Sequence, residues 1–155
     1  MPSLSMQSPI GQLTIEEEDD RIVAIRWGNG RDDSRGGNGN PLLAEAARQL
    51  AAYFDGTLAQ FDLPLAPQGS PFEQRVWQAM LQIPYGETRS YGELAMAIDS
   101  APRAVGRACG KNPIPVVIPC HRVLAKSGLG GYSGDGGLAT KSRLLALEGA
   151  LLKAA

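Results

Sequence analysis

Three prolines within seven residues, Pro113, Pro115 and Pro119, constrain this chain more than any other feature. A residue before proline avoids the helical region, so Asn112-Pro113-Ile114-Pro115 must run extended. Proline also ends ladder pairing, so Val116-Val117-Ile118 reads as a short strand that stops at Pro119. The chain must then turn, and the turn holds Cys120-His121-Arg122-Val123. On a regular strand, adjacent side chains would point to opposite faces; a turn lifts that objection. It puts the one histidine of the chain beside one of its two cysteines. A thiolate is a far better nucleophile than a thiol, and a neighbouring imidazole is the usual means of making one near neutral pH. A free cysteine is also a common small core residue, so the rest of the sequence has to decide.

The elements before this turn are short helices. Ser70 caps a helix with Pro71 at its first position and Glu73 as reciprocal partner. Phe72, Val76, Trp77 and Met80 form its apolar face, and Ile83-Pro84 ends it. Ser90-Tyr91-Gly92-Glu93 repeats the cap spacing and opens a helix through Ile98. Ser100 is expected to cap a further helix from Ala101 to Cys109, closed by Gly110. Two short helices joined by a tight turn read as a helix-turn-helix. Arg103 and Arg107 lie four apart on the second, with Lys111 just past its end. Cations on one helix face suit phosphates, though a solvated surface has the same pattern.

The N-terminal part has a different character. Leu13–Glu16 and Ile22–Trp27 read as strands around the acidic run Glu16-Glu17-Glu18-Asp19-Asp20. Gly28 to Asn40 is rich in Gly and Asn and reads as a loop. Pro41 to Phe54 is an amphipathic helix with Leu43, Ala46, Ala47, Leu50 and Phe54 on one face. Phe61 to Leu65 is expected to form a short strand, and residues 66–69 a linker. The fold class is therefore α/β (α+β). A small sheet-plus-helix domain covers residues 1–66, and a mostly helical domain with the helix-turn-helix and the cysteine loop covers residues 70–155. Net charge divides along the same line. Residues 1–69 carry a balance of −5 and residues 70–155 one of +4. The second part thus has the sign that favours a polyanion.

Composition excludes several classes. Apolar content of 43% and charged content of 20% indicate a folded globular chain. No apolar run is long enough to span a bilayer, and the first residues lack a signal-peptide pattern. Two cysteines are no disulfide framework, so a reducing, cytoplasmic setting is expected. One histidine and two cysteines cannot fill a four-ligand zinc site, so no metal and no cofactor are expected.

Leu138 to Leu151 reads as the last helix, and Glu148 falls within its leucine arc. A carboxylate on an apolar face needs a partner, because burying it unpaired costs several kcal/mol. His121 is the candidate, with solvent or an arginine as alternatives. A Cys120–His121–Glu148 relay has the nucleophile, base and orienter pattern. Coupling of the three would hold the thiol below its usual value of roughly 8.5.

Together these residues resemble the O6-alkylguanine-DNA alkyltransferases, also called methylated-DNA–protein-cysteine methyltransferases. The likeness runs through Ser70-Pro71-Phe72-Glu73-Gln74-Arg75-Val76-Trp77, Ile83 to Gly92, Arg103-Ala104-Val105-Gly106 and Asn112-Pro113. It continues through Ile118-Pro119-Cys120-His121-Arg122-Val123, Gly131-Tyr132-Ser133-Gly134 and Leu144-Leu145-Ala146-Leu147-Glu148-Gly149. The N-terminal part matches loosely, through Ser8-Pro9-Ile10-Gly11 and Ala52-Tyr53-Phe54-Asp55-Gly56.

The resemblance implies that Cys120 accepts the alkyl group. His121 and a bridging water would take its proton, and Glu148 would orient the imidazole. Tyr91 would donate to the purine ring as guanine leaves, and Asn112 would hold the turn before the cysteine. Arg103 would fill the stack after a nucleotide flips out of duplex DNA, with Tyr91, Ala104 and Arg107 also on the DNA. Pro115, Val123, Tyr132 and Ser133 would line the guanine pocket. The partner would be alkylated double-stranded DNA entered from the minor groove, by a monomer that could load cooperatively. O4-alkylthymine would be a second substrate. Asp135-Gly136 is extra length beside that pocket relative to the family. Cys109 matches no catalytic position and reads as core packing. Two rivals remain on sequence alone: a lesion-binding module without chemistry, which would lack the acceptor cysteine, and a thiol hydrolase using the same Cys-His-Glu set.

Overall fold

The computed structural model describes residues 2–28, 40–125, 128–130 and 137–150. The chain divides into two units, Met1–Gln68 and Gly69–Ala155. In the first, β1 (Ser3–Ser8), β2 (Gly11–Glu18) and β3 (Arg21–Trp27) form an antiparallel sheet in that order. A bulge at Glu16/Glu17 interrupts the β2–β3 register. Asp19 and Asp20 make the hairpin turn with φ of 52° and 63°, the left-handed region that such two-residue connections require. Helix α1 (Pro41–Phe54) packs on the sheet. It starts at Asn40, whose side chain accepts the Leu43 N–H; Leu43, Ala46, Leu50 and Tyr53 are buried on it, as are Leu13, Ile15, Ile22 and Ile25 on the sheet. Two expectations change here. The strand β1 adds to the two read from sequence. The segment from Phe61 to Leu65 is not a strand but a single parallel bridge from Leu65 to Ile22, and the buried Gln49 amide holds it through both backbone groups of Asp62.

The second unit is built on α2 (Pro71–Leu81). Its capping box is complete: the Ser70 side chain takes the Glu73 N–H, and Glu73 takes the Ser70 N–H. Val76, Trp77 and Met80 are buried along it, and the Trp77 indole N–H donates 2.9 Å to the Ala108 carbonyl. The short β4 (Arg89–Ser90) leads into α3 (Tyr91–Ala97), which has a second complete capping box between Ser90 and Glu93. Helix α4 (Pro102–Gly110) follows, and α3, α4 and α2 pack on one another. Ser100 is not its cap. Ala101 occupies that position without a side-chain bond, while the Ser100 N–H closes the preceding helix on the Ala95 carbonyl. Proline at the first turn makes the missing cap less costly, since one of the unpaired amides no longer exists.

The segment after α4 also departs from expectation. Val116 to Ile118 form no strand; Val116 adopts φ 73° and Pro115 bridges Ile118 across a tight turn. A β-branched residue there is a strained position, held because Val116 and its neighbours are buried. A 3₁₀ turn, Cys120–Arg122, comes next and runs into β5 (Val123–Leu124), which pairs in parallel with β4. Helix α5 (Gly137–Leu147) ends three residues short of Ala150, and Gly149 at φ 77° turns the chain away. Glu148 thus sits just past the helix end rather than inside it. Among the described residues no helix is long and apolar enough to cross a membrane.

Candidate active site

Asn112 builds the turn that presents the cysteine. Its Nδ2 donates to the Ile118 carbonyl at 2.8 Å, and its Oδ1 accepts the Ile114 N–H at 3.0 Å. The side chain thereby ties the two ends of the proline-rich loop together, and its amide also favours the charged form of the Cys120 thiol. Cys120 is buried at the start of the 3₁₀ turn. Burial is the dominant influence on its acidity and pushes the thiol up; the Asn112 amide and the Lys141 cation pull the other way. The expectation of a thiol below its usual range is therefore reversed. A thiolate loses its hydration in this site, and the neighbours restore only part of that loss.

His121 is fully buried, and its Nε2 lies 2.7 Å from Glu148 Oε2. Glu148 has a second partner. Arg122 Nε reaches Oε1 at 2.8 Å and Nη2 reaches Oε2 at 3.0 Å, while Nη1 donates to the Ile83 carbonyl at 2.7 Å. Both partners weighed from sequence are thus present at once. A carboxylate can only accept, so the hydrogen between the two residues belongs to Nε2. In the neutral ring Nδ1 then carries the lone pair, and among the described residues it has no hydrogen-bond partner. Burial lowers the proton affinity of the imidazole; Glu148 raises it, and the Arg122 and Lys141 cations lower it.

Lys141 escaped the sequence reading. It is fully buried on α5, and its Nζ donates to the Val123 carbonyl at 2.7 Å and to the Leu129 carbonyl. The same ammonium stands 5.8 Å from the centre of the Tyr91 ring. Tyr91 opens α3 and is half-buried beneath Gly130. Val123 and Pro115 are both buried near the cysteine turn. Arg103 and Arg107 are exposed on α4, Ala104 is half-buried between them, and neither arginine makes an ion pair among the described residues. Tyr132, Ser133 and Asp135-Gly136 lie outside the described residues. Cys109 is buried with its Sγ 3.5 Å from Met80 Sδ, and burial pushes its thiol up to about 12. Among the described residues no cluster of His, Cys, Asp or Glu could hold a metal ion.

These features define a protein with a buried cysteine-histidine-glutamate centre behind a helix-turn-helix. Residues 71–150 match the DNA-binding domain of 6-O-methylguanine DNA methyltransferase, and residues 4–67 match its ribonuclease-like domain. The chain is 50% identical to a methylated-DNA–protein-cysteine methyltransferase of Mycolicibacterium paratuberculosis, over 93% of this chain and 90% of that one. It is 45% identical to the constitutive enzyme of that name in Bacillus subtilis, over 83% and 84%. A crystal structure of Mycobacterium tuberculosis OGT in complex with DNA superposes with a TM-score of 0.84 at 44% identity, covering 96% of this chain and 93% of that one. The chain belongs to the methylated-DNA–protein-cysteine methyltransferase family.

Proposed function

We propose that this protein repairs duplex DNA by moving the alkyl group of O6-alkylguanine, and of O4-alkylthymine, directly onto Cys120. The observation that carries the reading is the buried turn itself, which joins the only histidine, paired to Glu148, to a cysteine one residue away. The sulfur attacks the alkyl carbon, a C–S bond forms and the carbon–O6 bond breaks. The thiol proton passes to His121 Nδ1 through a bridging water, and the electron pair of the broken bond goes to the guanine ring. Tyr91 supplies a proton to that ring, so a neutral base leaves. The product is a thioether, which nothing in the site can hydrolyse. A thiol hydrolase would instead need an acyl group and would regenerate its cysteine.

The buried thiol accounts for a second part of the reading. O6 inside a duplex is out of reach of a sulfur held this deep, so the nucleotide must leave the stack. Helix α4 entering the minor groove, with Arg103 in the gap and Arg107 on the backbone, fits the basic sign of this half. The protein acts as a monomer in the cytoplasm. Intact-protein mass spectrometry after mixing with methylated duplex tests the whole reading: one methyl on Cys120 per molecule is expected, and no mass gain sinks it. Arg103→Ala should lose rate on duplex while keeping it on free O6-benzylguanine; equal losses on both would remove Arg103 from the flipping step.

Gly130 gives a further expected result. A Cβ at this position would stand 2.9 Å from Tyr91 Cε2 and 3.2 Å from both Tyr91 Oη and the Ala125 nitrogen, on a backbone at φ 74°. Gly130→Ala must therefore displace the phenol. Transfer should slow by about tenfold to a hundredfold, the usual result of moving a reacting group by an ångström, with about 1–3 kcal/mol lost in stability. Rate measurements with methylated duplex, beside urea unfolding, check both. A folded variant with an unchanged rate would take Tyr91 out of the chemistry.

A further inference from the structure

We propose that Arg122 is a positioning residue of the acceptor site: by gripping both oxygens of Glu148 it holds His121 as the uncharged Nε2–H tautomer, with Nδ1 left to take the thiol proton. The inference deepens the alkyl-transfer reading and rests on it. A bidentate fork of this kind is the strongest arrangement a carboxylate and a guanidinium can make. Arg122 is itself fixed from three sides. Two nitrogens hold Glu148, the third holds the Ile83 carbonyl, and the guanidinium carbon stands 5.8 Å from the centre of the Tyr85 ring. The Tyr85 hydroxyl in turn donates 3.3 Å to the Leu147 carbonyl. The Gly86 N–H faces Glu148 Oε1 at 3.4 Å, so the carboxylate has donors on both oxygens.

The charges facing the imidazole can be taken element by element. Glu148 lies past the end of α5 and Lys141 lies within it. Arg122 and Cys120 share the 3₁₀ turn with His121. Tyr85, between α2 and β4, interacts with both Arg122 and Glu148. Cys109, on α4, interacts with Cys120 and Lys141. Arg122 and Glu148 cancel, and Lys141 is positive. An imidazolium would therefore be a second buried cation without a net negative partner, and the ring stays neutral. A Cys-His-Glu set without the arginine would behave differently. The uncompensated carboxylate would draw a proton onto the ring, and the base at Nδ1 would be lost.

The single histidine makes this directly readable, because ¹⁵N-histidine labelling reports on His121 alone. In wild type, ring-nitrogen spectra without substrate should show the neutral Nε2–H pattern at neutral pH and still at the unperturbed midpoint of a histidine. Arg122→Gln should raise the midpoint by roughly one to three units, the scale set by one close charge. The rate of Cys120 reaction with O6-benzylguanine should then fall below that new midpoint. Arg122→Lys keeps the charge and should keep the ring neutral. Superimposable titrations of wild type and Arg122→Gln would overturn the proposal. So would an imidazolium in wild type near neutral pH, or in a folded Arg122→Lys, and these two readings decide even where Arg122→Gln does not fold. Loss of alkyl transfer with the expected spectra would count against the transfer reading and leave Arg122 in place.

Discussion

Cys120→Ser should remove alkyl transfer altogether while leaving a folded, DNA-binding protein. A hydroxyl in the same place is a far weaker nucleophile, and His121 cannot hold enough of it deprotonated to compensate. The expected loss is at least roughly four orders of magnitude, the scale seen when a nucleophile is deleted from a coupled set. Stability should change by only about 1 kcal/mol, because the Asn112 amide already interacts with the Cys120 side chain and can serve a hydroxyl of similar size. Affinity for DNA should stay within a few-fold, since phosphate contacts supply most of it. The measurement is methyl transferred per protein molecule, beside a binding titration at fixed salt. Wild type should stop at one methyl per molecule. A count that climbs past one would show that the cysteine is regenerated, and transfer by Cys120→Ser would move the acceptor elsewhere.

Local signals carried most of the fold. Both capping boxes lie in four-residue patterns, and both form with the expected partners. Pro41 begins α1 at the residue expected, while its cap, Asn40, is the last residue of the stretch that reads as a loop. What failed is where local rules compete. Strand β1, Ser3–Ser8, alternates only Leu and Met with serine and glutamine, so it carries little strand propensity; pairing with β2 along its whole length makes it a strand. Val116-Val117-Ile118 has the composition of a strand, yet the proline at 115 and the Asn112 bonds force a turn with Val116 in the left-handed region. Two local bonds from one side chain outweighed three β-branched residues.

The site divides in the same way. Glu148 drew notice because a carboxylate on an apolar face is costly. The same test applied to Lys141 would have found it, since it stands three and four residues before the buried Leu144 and Leu145. Long cations are assigned to the surface by default, because a stem can be buried while its head reaches water. Here the head is buried too, and two carbonyls take the place of water. For Arg122 the sequence held no comparable signal beyond adjacency to His121, because a 3₁₀ turn has no extended periodicity to read. The rise in the Cys120 thiol was missed for a related reason. Spacing reveals a neighbouring imidazole but not the depth at which both are buried, and depth is the larger influence.

That depth should give the protein a narrow window of maximal stability. His121 binds a proton less readily folded than unfolded, its affinity lowered mainly by burial from an ordinary value of 6.5. Below 6.5 the unfolded chain takes up this proton and the native state does not, so stability falls as the pH drops, by about 1.4 kcal/mol per unit. With one histidine in the chain, no other imidazole contributes to this decline. The opposite limb comes from the cysteines. Both thiols are raised above 9.0 in the native state, so above 9.0 the unfolded chain releases protons that the native chain keeps, and stability falls as the pH rises. Lys141 opposes this limb: its affinity is lowered from 10.5, so the native state loses its proton first and gains relative stability up to that value. Urea midpoints under reducing conditions should therefore be highest between about pH 7 and 9 and fall as the pH drops below 6.5, before ordinary carboxylates titrate. His121→Gln can still donate to Glu148 but cannot titrate, so its acid limb should be flat over the same range. A wild-type profile equally flat would mean that the buried imidazole takes up its proton in the native state, and the neutral base at Nδ1 would have to be abandoned.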